Sequence, residues 1–507
     1  MKQYILAHDL GTSGNKATLY DTNGKLADSI VCNYPTYYPR NGWVEQDAND
    51  WWQAVCDSTK GLLEQTGISA SNVLCVSFSA QMMGCLIVDK NGDPLRRMLI
   101  WADTRSTEQE KYMLSQIGIE NGYKITGHRI SASYSAAKLL WVRDNEPEIY
   151  KKVEKMLHAK EYIILKLTGE FVTEYSDASG TNLLDLSKKD WSEDLMKAFD
   201  IPRSLLPDLV PSTHIAGKIT AEASRLCGLL EGTPVVVGGG DGSCACVGAG
   251  VVKAGKVYNV VGSSSWVSTA AEKPYFDPEM RTFNWFHLDD SLYTPCGTMQ
   301  AAGYSYAWFL DALCAEERYA GGIAGISAYK LLDKIVERTP PGANGLLFLP
   351  YLLGERSPLW DHNARGAFVG LGVSSGKAEM ARAVLEGVGF NLKIIMDILE
   401  QCDKINDVIM IGGGTKSGTW LKILADIWQK PLLIPQYLEE ATSMGASICG
   451  GVGIGVFDGF HVAEKFNKSV RVIEPNKEYA GVYSRLYKVF QNAYTRLKPI
   501  YEEIAGV

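Results

Sequence analysis

Three short apolar runs each stop at a glycine-rich turn, and this pattern limits the fold more than any other feature of the chain. Tyr4-Ile5-Leu6-Ala7 leads into Asp9-Leu10-Gly11-Thr12-Ser13-Gly14-Asn15-Lys16. Pro234-Val235-Val236-Val237 leads into Gly238-Gly239-Gly240-Asp241-Gly242, and Val260-Val261 into Gly262-Ser263-Ser264-Ser265. Apolar runs of this length cut off by glycine read as buried strands. Glycine lets a backbone approach an anion closely, and Thr and Ser add hydroxyl and amide donors. A carboxylate beside such a turn can hold a cation that neutralises phosphate charge. Two phosphate turns and two acidic residues, Asp9 and Asp241, point to ATP held between two related halves.

Strands alternate with helices along the chain, which implies an α/β architecture. Lys16 to Asp21 reads as a second strand, Thr22-Asn23-Gly24-Lys25 as a hairpin turn and Leu26 to Asn33 as a third strand. Asn49-Asp50 is expected to cap a helix that carries Trp52, Val55, Leu62 and Leu63. Val73 to Phe78 reads as a further buried strand, ending near Gln81-Met82-Met83-Gly84. Val408-Ile409-Met410-Ile411 runs into Gly412-Gly413-Gly414, and Trp420 to Trp428 reads as a helix. The glycine-rich stretch 248–255 divides the chain into 1–247 and 248–507. It reads equally well as a hinge or as a loop within one domain. The strand-and-turn pattern that resumes near Val257 suggests an internal duplication.

A chain of 507 residues exceeds one hydrophobic core. A formal net charge of -8 and the lack of a basic block argue against nucleic acid as a partner. Eleven scattered cysteines with no Cys-x-x-Cys pair read as reduced, buried thiols of a cytoplasmic protein. No run of about 18 apolar residues occurs, so no membrane span is expected. A homodimer is compatible with the chain, but nothing in the sequence fixes the oligomeric state. Gly372-Val373-Ser374-Ser375-Gly376-Lys377-Ala378 is one residue short of a Walker loop and lacks its Ser or Thr. Asp241, between glycines after four apolar residues, reads as an Asx turn or as a general base facing a substrate hydroxyl at a strand's C-terminal end.

Two longer segments carry a resemblance. One is Ser133-Tyr134-Ser135-Ala136-Ala137-Lys138-Leu139-Leu140-Trp141-Val142-Arg143-Asp144-Asn145; the other runs from Gly366-Ala367-Phe368-Val369-Gly370-Leu371 to Glu379-Met380-Ala381-Arg382-Ala383-Val384-Leu385-Glu386. Over nearly its whole length the chain resembles FGGY-type carbohydrate kinases of the sugar kinase, hexokinase and actin superfamily, and most of all the xylulokinase group. The resemblance implies two actin-like (ribonuclease H-like) α/β domains flanking a cleft, with ATP and Mg²⁺ as cofactors. It implies a small sugar or polyol as substrate, D-xylulose first. Ribulose, gluconate, glycerol, erythritol or a signalling polyol are the alternatives, and a non-catalytic ATP-binding assembly protein on an actin-like fold is the rival of another class. It places Asp9 at Mg-ATP and Asp241 as the base, with Asp241 a second candidate metal ligand. It places Gly11, Thr12, Ser13, Lys16, Gly262, Ser263 and Ser264 at the phosphates, and Gly412, Gly413, Gly414, Lys416 and Ser417 beside adenosine. Gln81, Met82, Met83, Asp103, Arg105 and Asp241 fall on the sugar side. Gly354-Glu355-Arg356-Ser357-Pro358 also resembles a family loop, one read equally as a structural salt bridge. Two positions depart from the xylulokinase pattern: Met83 stands where a His is usual, and Gly242 where an Asn often follows the catalytic Asp. An apolar Met in place of a hydrogen-bonding His is expected to change which hydroxyl pattern is accepted.

Overall fold

The structure is a computed structural model that describes residues 2–506. Its first sheet grows from the opening apolar runs. Strands β1 (Tyr4–Leu10), β2 (Gly14–Asp21) and β3 (Leu26–Asn33) form an antiparallel meander. β4 (Val73–Ala80) lies parallel to β1 on its other side. Between β3 and β4 the chain forms helix α1 (Ala48–Thr66). Its N-cap is Asp47, which accepts the amide of Asn49, and not the expected Asn49-Asp50 pair, because Asp47 holds the extended backbone that a cap requires. The chain then leaves the sheet and returns as β5 (Ile215–Lys218), β6 (Pro234–Val236) and the short β7 (Gly239–Gly240), completing a seven-stranded sheet of order β5-β6-β4-β1-β2-β3 with β7 also on β4. The excursion includes α2 (Ser135–Asn145), α3 (Ala159–Thr168) and α4 (Tyr175–Ser179); it builds its own core around Leu139, Leu140, Trp191 and Phe199, whereas α3 packs into the core of the first sheet.

The second half repeats the plan. β8 (Val257–Val261), β9 (Ser265–Thr269), β10 (Phe283–Phe286), β11 (Tyr293–Met299), β12 (Val408–Ile411), β13 (Leu432–Pro435) and β14 (Ser469–Ile473) form a sheet of order β10-β11-β9-β8-β12-β13-β14. Read outward from β1 or from β8, neighbours pair in the same sense: antiparallel on one side, twice from β1 and three times from β8 because β10 adds a strand, and parallel twice and then antiparallel on the other. The turn between β1 and β2 thus corresponds to that between β8 and β9, as a duplication requires. The outer two strands run in opposite chain order in the two sheets: β5 precedes β6 but lies outside it, whereas β14 follows β13.

Two helices lie between the sheets. α5 (Asp241–Gly248) leaves the first sheet, yet its Ala245 and Cys246 share a core with Tyr258, Ile409 and Ile411 of the second. α9 (Ala441–Gly453) leaves the second sheet, yet its Met444, Ala446 and Ile448 pack on Ile5, Ala7 and Cys75 of the first. The helices cross with their backbones in contact. A Cβ at Gly248 would lie 1.7 Å from the Ala441 carbonyl oxygen, and one at Gly445 would lie 1.9 Å from that of Cys244. The stretch 248–255 continues from this crossing into β8, and its Val251 is buried against α5. Later helices α6 (Gly303–Leu313), α7 (Lys377–Leu399), α8 (Gly418–Trp428) and α10 (Ala480–Ala505) cover the second sheet. Among the described residues no helix is long and apolar enough to cross a membrane.

Gly445→Ala must push the helices apart, since neither carbonyl can rotate away from a helix. A loss of about 1–3 kcal/mol or more is expected in a denaturant titration. Gly322→Ala, in the helix Ala315–Ala324 where a Cβ meets nothing within 4 Å, is expected to gain about 0.5–1 kcal/mol instead.

Candidate active site

The end of β7 delivers Asp241. Gly239 and Gly240 pair with Ser79 and Ala80 at the end of β4, and β1 ends beside them, so Asp241 and Asp9 converge where the central strands stop. Ser79 Oγ donates to Asp9 Oδ1 at 2.9 Å, and the Gly242 amide donates to Asp241 Oδ1 at 2.7 Å. Burial pushes the Asp241 carboxyl up to about 7, the negative charge of Asp9 adds to the rise, and the Gly242 amide opposes it. Burial also raises Asp9, against its Ser79 hydrogen bond and the charge of Lys16. A carboxyl with a pKa near 7 can take a proton from an alcohol and release it again at neutral pH. Two buried carboxylates that repel one another are also a donor set suited to a divalent cation.

Asp241 opens onto a cavity of about 140 Å³, room for several water molecules or one small polyol. Met82, Met83 and Trp101 from the first half and Trp266, Phe283 and Trp285 from the second form its walls, and Arg356 lines it too. Met83 adopts a left-handed backbone (φ 63°), a conformation that costs a side-chain-bearing residue some strain. Its carbonyl is held by Lys138 Nζ at 2.8 Å, and the same ammonium donates to the Ser133 carbonyl. Lys138 is fully buried, and burial draws its pKa down to about 7 against the attraction of Asp103. Gln81, Asp103 and Arg105 do not line the cavity; they stand behind it. Gln81 Nε2 donates to Gln46 Oε1 at 2.7 Å. Asp103 and Arg105 form a buried pair at 2.7 Å, and the Arg105 guanidinium lies 3.7 Å from the centre of the Trp43 ring.

Both turns between antiparallel strands direct their carbonyls into the protein. Gly11 O accepts from the Tyr34 hydroxyl and Thr12 O from Gln46 Nε2 at 2.6 Å, while Thr12 Oγ1 accepts from the Trp101 indole at 3.0 Å. In the second turn Gly262 O accepts from the Gly303 amide, and Ser263 O from those of Ala302 and Tyr304. With the carbonyls engaged, the amides of Thr12, Ser13, Ser263 and Ser264 have no acceptor among the described residues, which is the arrangement of an anion-binding turn. Gly412 turns the chain out of β12, and Gly413–Lys416 form a single 3₁₀ turn. Ser417 Oγ is engaged as the N-cap of α8, accepting the Trp420 amide at 3.0 Å. Lys416 pairs with Glu439, whose carbonyl accepts from Lys16 Nζ at 2.8 Å.

Arg356 and four aromatic residues of the second half, Tyr258, Trp266, Phe283 and Trp285, complete a site that the sequence motifs only partly outline. The loop holding Arg356 shows why it faces the cavity. Its neighbour Glu355 is buried and accepts the amides of Gln300 and Arg356 at 2.8 and 2.9 Å and Asn391 Nδ2 at 3.0 Å. Burial pushes the Glu355 carboxyl up to about 8 despite these bonds. Glu355 anchors the loop backbone, and Arg356 forms no ion pair with it or with any other described carboxylate.

Duplicated α/β domains with a cleft between them, where Asp9, Asp241 and two turns with unpaired amides meet, are the layout of the actin-like fold. Residues 4–248 match the FGGY family of carbohydrate kinases, N-terminal domain, and residues 257–454 its C-terminal domain. The chain is 33% identical over 501 residues to a xylulose kinase of Bacillus subtilis (strain 168), covering 98% of each protein. It is 32% identical over 507 residues to a gluconokinase of the same strain, covering 100% of this chain and 98% of that one. The crystal structure of ligand-bound xylulose kinase from Lactobacillus acidophilus superimposes with a TM-score of 0.92 at 28% identity, covering 99% of this chain and 100% of that one. The chain belongs to the FGGY family of carbohydrate kinases, ATP-dependent enzymes that phosphorylate an alcohol group.

The raised pKa of Asp241 has a kinetic and a stability consequence. A carboxyl that serves as a base must be ionised, so if Asp241 has that role kcat/KM is expected to rise with pH through about 7, and Asp241→Asn to lose on the order of 10²–10⁴ in rate. The folded protein binds the Asp241 proton more tightly than the unfolded chain does. Its contribution is therefore most favourable below the ordinary value of 3.8 and is lost as pH rises to about 7. Asp241→Asn should melt higher than the parent at pH 8 and much like it at pH 4. An unchanged melting difference across that range would contradict the buried, proton-holding carboxyl.

Proposed function

We propose that the protein moves the γ-phosphoryl group of ATP to a terminal hydroxyl of a linear ketose or polyol, with D-xylulose, giving D-xylulose 5-phosphate, the first substrate to test. The observation that carries this reading is Asp241, a carboxyl near neutrality at the edge of an aromatic-walled cavity beside two anion-binding turns. Asp241 takes the hydroxyl proton as the new oxygen–phosphorus bond forms, and the bond to the β-phosphate breaks to release ADP. The free amides of Thr12, Ser13, Ser263 and Ser264 bind phosphate oxygens, and Gly412–Gly414 border the adenosine. Lys416 and Ser417 already have protein partners, so their share in nucleotide binding requires exchanging them. Bound Mg²⁺, held by Asp9 with Asp241 nearby, supplies neutralisation of phosphate charge. Trp101 touches both the Thr12 hydroxyl and the cavity, linking the phosphate turn to the sugar side. Eleven free cysteines, nine of them buried, fit a reducing compartment, and we assign the protein to the cytoplasm.

Arg356 favours a second reading. A cavity-lining guanidinium with no carboxylate partner suits a substrate with a carboxylate, as in a sugar acid such as gluconate. ADP release measured across ketoses, polyols and sugar acids separates the two. On the first reading D-xylulose has the highest specificity constant, and Arg356→Met lowers it less than tenfold. On the second a sugar acid leads, and Arg356→Met removes at least 100-fold of its turnover, as for loss of one partner in a buried charge pair. No sugar-dependent ADP release from any of the three classes would overturn both.

Met83 tests the sugar side of the reading. Histidine tolerates a left-handed backbone better than most residues, and its ring can bond a hydroxyl that a thioether holds poorly. Met83→His is expected to raise the ratio of specificity constants for D-xylulose over the best wild-type substrate, or over xylitol if D-xylulose is itself the best. An unchanged ratio would remove Met83 from the selection of the sugar.

A further inference from the structure

Behind β7 lies a buried polar network that the proposed transfer does not use directly. Lys160 in α3 is completely buried, and its Nζ lies 3.1 Å from Glu161, 3.2 Å from Asp177 and 3.7 Å from Glu174. His158 joins Asp177 on one side to Ser135 on the other, each at 2.8 Å. Ser135, His158 and Asp177 have the spacing of a nucleophilic triad, but all three are shut off from solvent and the serine hydroxyl donates to the Gly180 carbonyl. His158, Glu161 and Asp177 also have the spacing of a metal site, but the Lys160 ammonium already sits among their carboxylates. Neither chemistry fits. Such a cluster is costly to bury unless every charge is paired and directed.

The network reaches the active site through Ser176. Glu174 caps α4, accepting the amides of Ser176 and Asp177 at 2.7 and 2.8 Å, and accepts a hydrogen bond from the Ser176 hydroxyl at 2.7 Å. With its proton committed to Glu174, Ser176 Oγ offers a lone pair, and the Gly240 amide donates to it at 3.0 Å. Gly240 immediately precedes Asp241. β7 is only two glycines long, so no side chain of its own fixes this peptide. We propose that Ser176, oriented by Glu174 and through it by Lys160, is a positioning residue that fixes the Gly240 peptide and with it the direction of the Asp241 carboxylate. The proposal rests on the reading of Asp241 as the base.

The alternative is that the network only stabilises the fold, and a comparison of full-length variants separates the two. Ser176→Ala removes the acceptor, Ser176→Thr keeps the hydroxyl, and Ser212→Ala removes a 2.9 Å bond to the other oxygen of Glu174 without touching Gly240. kcat, the KM for ATP and for the best sugar of the panel, and the melting temperature are measured for each beside Asp241→Asn. Positioning predicts that Ser176→Ala loses about 10–100-fold in kcat with both KM values within threefold, the scale of a small displacement of a reacting group. Ser176→Thr should recover most of that loss, and Ser212→Ala should melt lower yet keep kcat within twofold. If Ser176→Ala does not fold, Ser176→Cys, whose thiol is a poor acceptor, takes its place with the same expectation. Wild-type kcat in the folded Ser176 variant, or an equal loss in Ser212→Ala, overturns the proposal. If Asp241→Asn is inactive in the same series, only the positioning role has failed. If Asp241→Asn turns over normally, the base assignment falls and the proposal with it.

Discussion

The close crossing of α5 and α9 is the constraint on which the rest of the molecule depends. Each helix leaves one sheet and is buried against the other, so each half supplies part of its partner's core. The crossing has no room for side chains at Gly248 and Gly445. α5 begins at Asp241, so the contact that joins the halves also sets where that residue stands. It places the end of the first sheet beside the start of the second and so brings Asp9, Asp241 and the two strand-connecting turns to one cleft.

Within the cleft, burial and charge act together. Asp241 is raised because it is enclosed and because Asp9 is near, and the supporting groups meet both conditions with directed hydrogen bonds and not with bulk charge. The cavity follows the same rule: its walls are mainly aromatic or thioether with a few Ser and Thr hydroxyls, and the buried charged residues behind it, Lys138, Asp103 and Arg105, shape the loops that present them. Hydrophobic walls with few polar groups discriminate weakly among hydroxyl patterns, so selectivity rests on the few polar or charged residues that reach the cavity.

How much of this could be read in the sequence depends on whether a residue's role is local. β1, β4, β8 and β12 are legible because a buried strand needs an apolar run and a glycine turn cuts it off sharply, and β2 because a hairpin turn follows it. The repetition of the two halves shows as a faint likeness of pattern, since pairing sense leaves no mark on single residues. Asp9, Asp241 and Met83 stand beside turns that announce them. Trp266, Phe283 and Trp285 do not, because an aromatic residue on a strand reads the same whether it faces a core or a cavity. Gly445 carries no local mark of its role, which depends on the backbone of the crossing helix. Lys160 and Glu161 carry no local mark of their burial, and only the fold reveals that they are enclosed. Arg356 sits in a recognisable loop, but its direction depends on Glu355 being anchored by Gln300 and Asn391, residues far away in the chain.

The grip of Lys138 on the Met83 carbonyl separates two properties that are usually tied together. The loop keeps its shape partly through a main-chain oxygen, so the contact that holds its path is not made by the side chain at position 83, although the left-handed backbone there limits which residues it accepts. That position behaves as a socket: the backbone supplies a fixed mount, and residues that accept a left-handed backbone can be exchanged on it without remaking the loop. A protein built this way can change its preferred substrate by single steps, each leaving the fold and the transfer machinery intact.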